Sequence, residues 1–324
     1  MRLLKLVPDN TNIDFMRWRN LALVLSIIVT VASIALVFAR GLNLGVDFVG
    51  GQSVRVTFSQ PPALDDLRQR VDTIGEGGAS LQEAGAPNVI AIRMPLPPGG
   101  EAAASQAASQ VRQVITSRYP DARFDAVETV SGRVSAELFR SGSLAVALAM
   151  LGIAVYIWIR FEWQFGVGAL VTLFHDVWMT LGFFSLTQLE FNLNVIAAIL
   201  TIVGYSLNDT VVIYDRIREN LRKFRKMEIV PLLNLSLNET LSRTMVTSIS
   251  ILLALLMLLL LGPDVIFGLT IAIFVGIFVG TYSSIYISSP ILVWLKVSTD
   301  SFMPRDPVSR AERGARNEDY GARV

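Results

Sequence analysis

The chain has 324 residues, 52% of them hydrophobic and 17% charged, with a mean hydropathy of +0.51 and a formal net charge of +1. So few charges, against about a quarter in soluble domains, place the chain in a membrane, and the near-zero balance gives no sign of a nucleic-acid partner. The lack of Cys excludes disulfides and thiol chemistry, the single His leaves little imidazole for catalysis or metal binding, and no Gly-Lys pair exists to build a nucleotide-binding P-loop.

Residues 1–19 form a short basic N-terminus, and the first apolar segment runs over 20–39. That is long enough to cross a bilayer, which takes roughly 20 residues, and too long for a signal-peptide core of about 7–15, so it reads as a retained anchor. Residues 40–139 have ordinary soluble composition. Within them GQSVRVTF (51–58) alternates like a strand, and PPALDDLRQRVDTI (61–74) reads as a helix opened by proline. ASLQEA (79–84) and NVIAIRM (88–94) are two more strands, EAAASQAASQVRQVITSR (101–118) is a helix, and RFDAVETV (123–130) is a closing strand. The predicted order is β-α-β-β-α-β, the ferredoxin-like unit.

Five further apolar segments follow at 143–159, 165–187, 193–214, 244–262 and 265–295. A basic loop is expected over 215–243 and a solvated tail over 296–324. The predicted fold class is therefore a membrane α-helical bundle of six transmembrane helices carrying one α+β periplasmic domain. Lys and Arg crowd the N-terminus (Arg2, Lys5, Arg17, Arg19), the 216–243 stretch and the tail, and they are missing from 188–192 and 263–264. The positive-inside rule then places both termini in the cytoplasm and the soluble domain outside.

Carboxylates inside the apolar segments carry the functional signal. An ionised Asp at a helix centre costs about 2.5–3.5 kcal/mol on insertion scales, so it is expected to face a partner or a water path. Three candidates stand out: Asp176, preceded by His175; Asp209, preceded by Asn208; and Asp215, at the end of the fourth segment. At 100° per residue Asn208 and Asp215 share a helix face, whereas Asp209 points elsewhere, beside Tyr205, Val212 and Arg216. Asp209 is the deeper and reads either as a proton relay or as a satisfied structural carboxylate. Asp215, followed by Arg216 and Arg218, reads as an interface residue or packing clamp. Arg243, at the mouth of the fifth segment, is a candidate partner for Asp209 or an ordinary cytoplasmic arginine. His175 and Asp176 read as a secondary proton site or as a pair bonded across helices.

GLNLGVDFVGG (41–51), RFEW (160–163), His175-Asp176, GYSLNDTVVIYDRIREN (204–220) and LSRTMVTS (241–248) together resemble the SecD/SecF family of bacterial protein-export subunits, in the resistance-nodulation-division superfamily. The resemblance implies one six-helix half of a two-half assembly in the bacterial inner membrane, the other half being SecD. It further implies assistance to the SecYEG channel and SecA motor, association with YajC, and release of the preprotein outside. No enzyme activity and no cofactor are implied, with the proton as coupling ion. By this resemblance Asp209 matches the family's proton-transferring acid and Arg243 its basic partner, and Gly45, Asp47, Gly50 and Gly51 form a turn or hinge. The alternatives are a half-size proton-coupled exporter of small molecules or lipids, and a purely structural assembly factor.

Overall fold

The computed structural model describes residues 11–297, apart from 73, 75–78, 85, 96, 98 and 99. The expectations for Arg2, Lys5 and the tail beyond 297 lie outside the described residues. In chain order the elements are α1 (Arg19–Arg40), α2 (Val46–Val49), β1 (Gly51–Thr57), α3 (Leu64–Asp72), β2 (Ser80–Ala84), β3 (Ala86–Met94), α4 (Gly100–Arg118) and β4 (Arg123–Val130). The long helices follow: α5 (Gly132–Arg160), α6 (Trp163–Thr187), α7 (Leu193–Lys223), α8 (Ile229–Leu261), α9 (Phe267–Tyr286) and the short α10 (Ser288–Trp294). Among the described residues six helical stretches are long and apolar enough to cross a membrane. This is a multi-pass membrane protein.

The six are not equivalent. Half of the apolar window is buried in α6 and in α7, and 44% in the α9–α10 stretch, against 11% in α5 and in α8. α6, α7 and α9 therefore form the centre, and α5 and α8 turn most of their apolar surface outward, including Leu148, Leu151, Leu253 and Leu260. Without a hydrophobic drive between helices in lipid, close backbone approach by small residues does the packing. A Cβ on Gly276 of α9 would collide with Ile202 of α7, and one on Gly182 of α6 would collide with Ser33 of α1.

Three apolar segments are parts of longer helices. The expected loop over 215–243 is helical on both sides of a turn at 224–228, because α7 runs on to Lys223 and α8 starts at Ile229. The charges that suggested a loop lie on one face, while Ile217, Leu221, Leu232, Leu233, Leu237 and Leu241 pack with Phe15 and Met16 in one cluster. Pro231 falls in the first turn of α8, where no intrahelical N–H bond is lost. The second apolar segment likewise extends back to Gly132, so residues 132–139 belong to α5 and not to the soluble domain. The apolar segment at 265–295 is not one continuous helix but is broken at Ile287. Pro290 explains the break, since its ring obstructs the carbonyl four residues earlier, at Tyr286 where α9 ends.

The soluble domain has a four-stranded antiparallel sheet in the order β2-β3-β1-β4, with α3 and α4 as the two crossovers. Strand periodicity puts Val54, Val56, Leu81, Ile90, Ile92 and Met94 on one face, where they meet Leu67, Val71, Val111 and Ile115 of the two helices. The opposite face carries Ser53, Arg55, Gln82 and Arg93, in register with one another. That polar face rests on the end of the bundle.

Candidate functional site

Two polar clusters sit among the central helices. In the first, Asp176 of α6 has no exposed surface. Its Oδ2 accepts from Ser206 Oγ of α7 at 2.5 Å and from Ser283 Oγ of α9 at 2.9 Å, and its Oδ1 lies 2.9 Å from His175 Nδ1. Three hydrogen bonds from three helices compensate a charge that hydrocarbon would otherwise reject. Ser206, one turn before Asp209, brings this cluster beside the second.

In the second cluster Asp209 is buried, at 4% exposure. The Ser248 hydroxyl of α8 lies beside its carboxyl, yet Oδ2 is enclosed without a hydrogen-bond partner. Ser248 is shared: its Oγ is 3.2 Å from Tyr205 Oη and 2.9 Å from Thr281 Oγ1 of α9. Asp209 thus stands where α7, α8 and α9 meet, among hydroxyls that can donate or accept. A carboxyl with an open oxygen in such surroundings can take up and hand on a proton.

The structure does not bring Arg243 to Asp209. Arg243 is exposed on α8, and among the described residues no ion pair joins the two. The reason is helical phase: Thr244 and Ser248 point inward, which turns Arg243 outward. Asn208 is exposed as well. Asp215, about half exposed, pairs with Arg160 of α5 at 3.1 Å, while Arg216 pairs with Glu239 and Arg218 with Glu162. These pairs tie α5, α6, α7 and α8 together around the turns near Phe161 and Phe224.

The glycine-rich stretch lies at the other end. Gly45 N–H donates to Phe191 O at 2.8 Å, and a Cβ there would lie 2.8 Å from Glu190 Oε1. Gly50 and Gly51 have φ of 78° and 118°, a region closed to most side chains, and they turn the chain from α2 into β1. Asp47 Oδ2 accepts from the N–H of Leu193 at 2.9 Å, capping the N-terminus of α7 from the short helix α2. A cleft of about 610 Å³ opens here, lined by Leu44, Gly50, Gly51, Arg93 and Gly132 among others.

The family model described as "Protein export membrane protein SecD/SecF, C-terminal" matches residues 110–298, and the one described as "SecD/SecF GG Motif" matches residues 35–62. The chain is 43% identical over 290 residues to "Protein translocase subunit SecF" of Rickettsia conorii, covering 89% of this chain and 94% of that one. It is 42% identical over 300 residues to the protein of the same name in Cereibacter sphaeroides, covering 91% and 93%. The chain belongs to the SecD/SecF family. Among solved structures it resembles SecDF of Thermus thermophilus, described as a translocon-associated membrane protein, with a TM-score of 0.82 and 34% identity over 90% of this chain. The chain spans 40% of the length of that SecDF chain.

Within the SecD/SecF match the C-terminal region contains both carboxylate clusters, and the GG region contains Gly45, Asp47, Gly50 and Gly51. Sequence reasoning alone missed Ser206 and Ser283. A serine in an apolar helix carries no signal until its neighbour across the interface is known.

Proposed function

We propose that this chain is an accessory subunit of the Sec protein-export machinery, acting with SecD to use the proton-motive force in preprotein translocation and release on the periplasmic side. The supporting family relationship is to proteins named as translocase subunits and to a translocon-associated SecDF. The observation that carries the proton coupling is the enclosed, unpartnered Oδ2 of Asp209 at the junction of α7, α8 and α9. In this reading the protein lies in the inner membrane with both termini cytoplasmic and the sheet domain outside. SecYEG, SecA and YajC are its further partners, and no cofactor beyond the proton takes part. Moving one charge through 100 mV is worth about 2.3 kcal/mol, so a few protons supply enough work to shift a small domain. Arg243, exposed in this structure, serves the relay only in a conformation that turns it toward Asp209.

Asp209→Asn keeps the shape of the carboxyl and removes its proton. The variant is expected to assemble normally, while export into membrane vesicles drops to the level seen with the gradient collapsed. Full gradient stimulation of the variant would refute the relay.

A further inference from the structure

At the end of the bundle away from the sheet domain, a charged cavity opens between the end of α5 and the extension of α7. We propose that this cavity binds the phosphate headgroup of an anionic phospholipid. The site requires only that the chain lies in a bilayer, and it is independent of the Asp209 relay.

The cavity holds about 460 Å³ and is lined by Arg160 of α5 with Asp215, Arg218, Glu219, Arg222 and Lys223 of α7. Sites for small ligands are commonly of this size. The five α7 residues recur at helical spacing and so form one stripe. Four cations face two carboxylates there, and both carboxylates are already engaged. Asp215 pairs with Arg160 at 3.1 Å, and Glu219 with Arg216 at 2.8 Å. Arg218 is paired with Glu162 at 3.2 Å. Arg222 and Lys223 are left over: both are exposed, and neither forms an ion pair among the described residues. Lys223 acts on Glu239 only from beyond ion-pair distance, and that carboxylate is held by Arg216 and Asn220.

The cavity wall is prepared for an anion. Phe161 is buried, and the guanidinium carbons of Arg160 and Arg218 lie 5.0 and 6.0 Å from its ring centroid, which fixes both cations over an apolar floor. The C-terminus of α7 carries the negative end of the helix dipole and opposes an anion. The attraction therefore has to come from the side chains, and it is sensitive to their removal.

Position selects a lipid among polyanions. The cavity opens where three apolar segments give way to charge: α5 finishes at Arg160, α6 begins at Trp163, and the apolar run of α7 stops at 214. Just before Arg160, Trp158 and Ile159 are 76% and 83% exposed, and Trp163 is exposed as well. Tryptophans gather at the headgroup level of a bilayer. The outward face of α5 then offers apolar surface for acyl chains beside a cationic seat for the phosphate. A nucleic acid or an acidic protein would use the charges and leave that surface bare. Basic pockets between membrane helices are a known form of headgroup site.

Native mass spectrometry of the full-length chain in detergent, titrated with phosphatidylglycerol, tests this. The parent is expected to hold one phosphatidylglycerol more tightly than phosphatidylcholine. Each basic side chain near an anionic headgroup contributes about fivefold in binding. Arg222→Gln combined with Lys223→Gln is therefore expected to weaken the first lipid by about 25-fold. Arg225→Gln combined with Lys226→Gln removes the same charge from exposed positions that do not line the cavity, and little change is expected. Equal losses in the two double variants would show diffuse attraction without a site, and equal retention of the two lipids would show no headgroup recognition; either overturns the proposal. Displacement of the lipid by inorganic phosphate would assign the cavity to a free anion and overturn the lipid assignment. Should the Arg222 and Lys223 double variant fail to fold, Lys223→Gln alone decides, with a loss of about fivefold expected and an unchanged affinity overturning the proposal.

Discussion

At the residue scale, two aspartates on adjacent helices meet the same membrane with different chemistry. Asp176 is held by three donors, whereas Asp209 keeps an oxygen free. The first carboxyl is fully compensated by its neighbours, and the second keeps an unmet acceptor. Outside the membrane, Glu128 on β4 shows the same physics in mild form. Desolvation by the surrounding sheet pushes its carboxyl above the usual range, and the carboxylates of Glu190 and Asp47 add to this against Arg55. A raised acid stabilises the fold below its unfolded pKa, and that contribution is lost as pH rises through the folded value. Glu128→Gln is therefore expected to raise the melting temperature slightly at neutral pH, with a stability gain of under about 1 kcal/mol because the side chain is solvent-exposed. Near pH 4, where the parent carboxyl is itself largely protonated, about equal melts are expected for the two proteins. A variant less stable than the parent at neutral pH would contradict this assignment.

At the element scale, helix ends are set by contacts far away in the chain. α7 starts under a cap of two side chains: Asn192 Oδ1 accepts from Val195 N–H, and Asp47 Oδ2 accepts from Leu193 N–H. Removing one such cap costs roughly 0.5–2 kcal/mol. Asp47→Ala is expected to lower thermal stability by about that amount and to speed amide exchange in the first turn of α7, leaving the half of the helix that ends at Lys223 protected. Uniform loss of protection along α7 would show that Asp47 has a different role. The helices that stay together at the other end do so through the Phe15–Leu241 apolar cluster and the buried Asn220, which donates to Ser236 and Glu239.

At the scale of the whole molecule, the question is how a soluble domain stays seated on a bundle. Arg93 on β3 answers it: Nη1 donates to Asn43 Oδ1 and Leu44 O at 3.0 and 2.9 Å, and Nη2 lies 3.1 Å from Glu190 Oε2. Asn43 reaches both ways, donating to Gln82 of the sheet and Gln188 O of the bundle. Both charges are largely shielded, at 13% and 18% exposure, so truncating one strands the other. Arg93→Ala is expected to weaken the seat by roughly 2–5 kcal/mol, seen as a longer and broader spin-label distance between the sheet and α6. An unchanged distance distribution would mean that other contacts hold the domain.

Hydrophobic length, read along the chain, marked the six spans, and strand periodicity determined the βαββαβ domain almost residue by residue. These are local quantities: each depends on a few consecutive residues meeting lipid, water or a sheet face. Asp176 and Asp209 were both visible as anomalies for the same reason. Their ranking was not. Whether a buried carboxyl is satisfied depends on hydroxyls 30 to 107 positions away in the chain, as with Ser206 and Ser283. Only the packing of α6, α7 and α9 brings these within bonding distance. The outward turn of Arg243 and the long extensions of α7 and α8 beyond their apolar segments were likewise decided by tertiary contacts, because charge marks a solvated face equally well on a loop or on a helix.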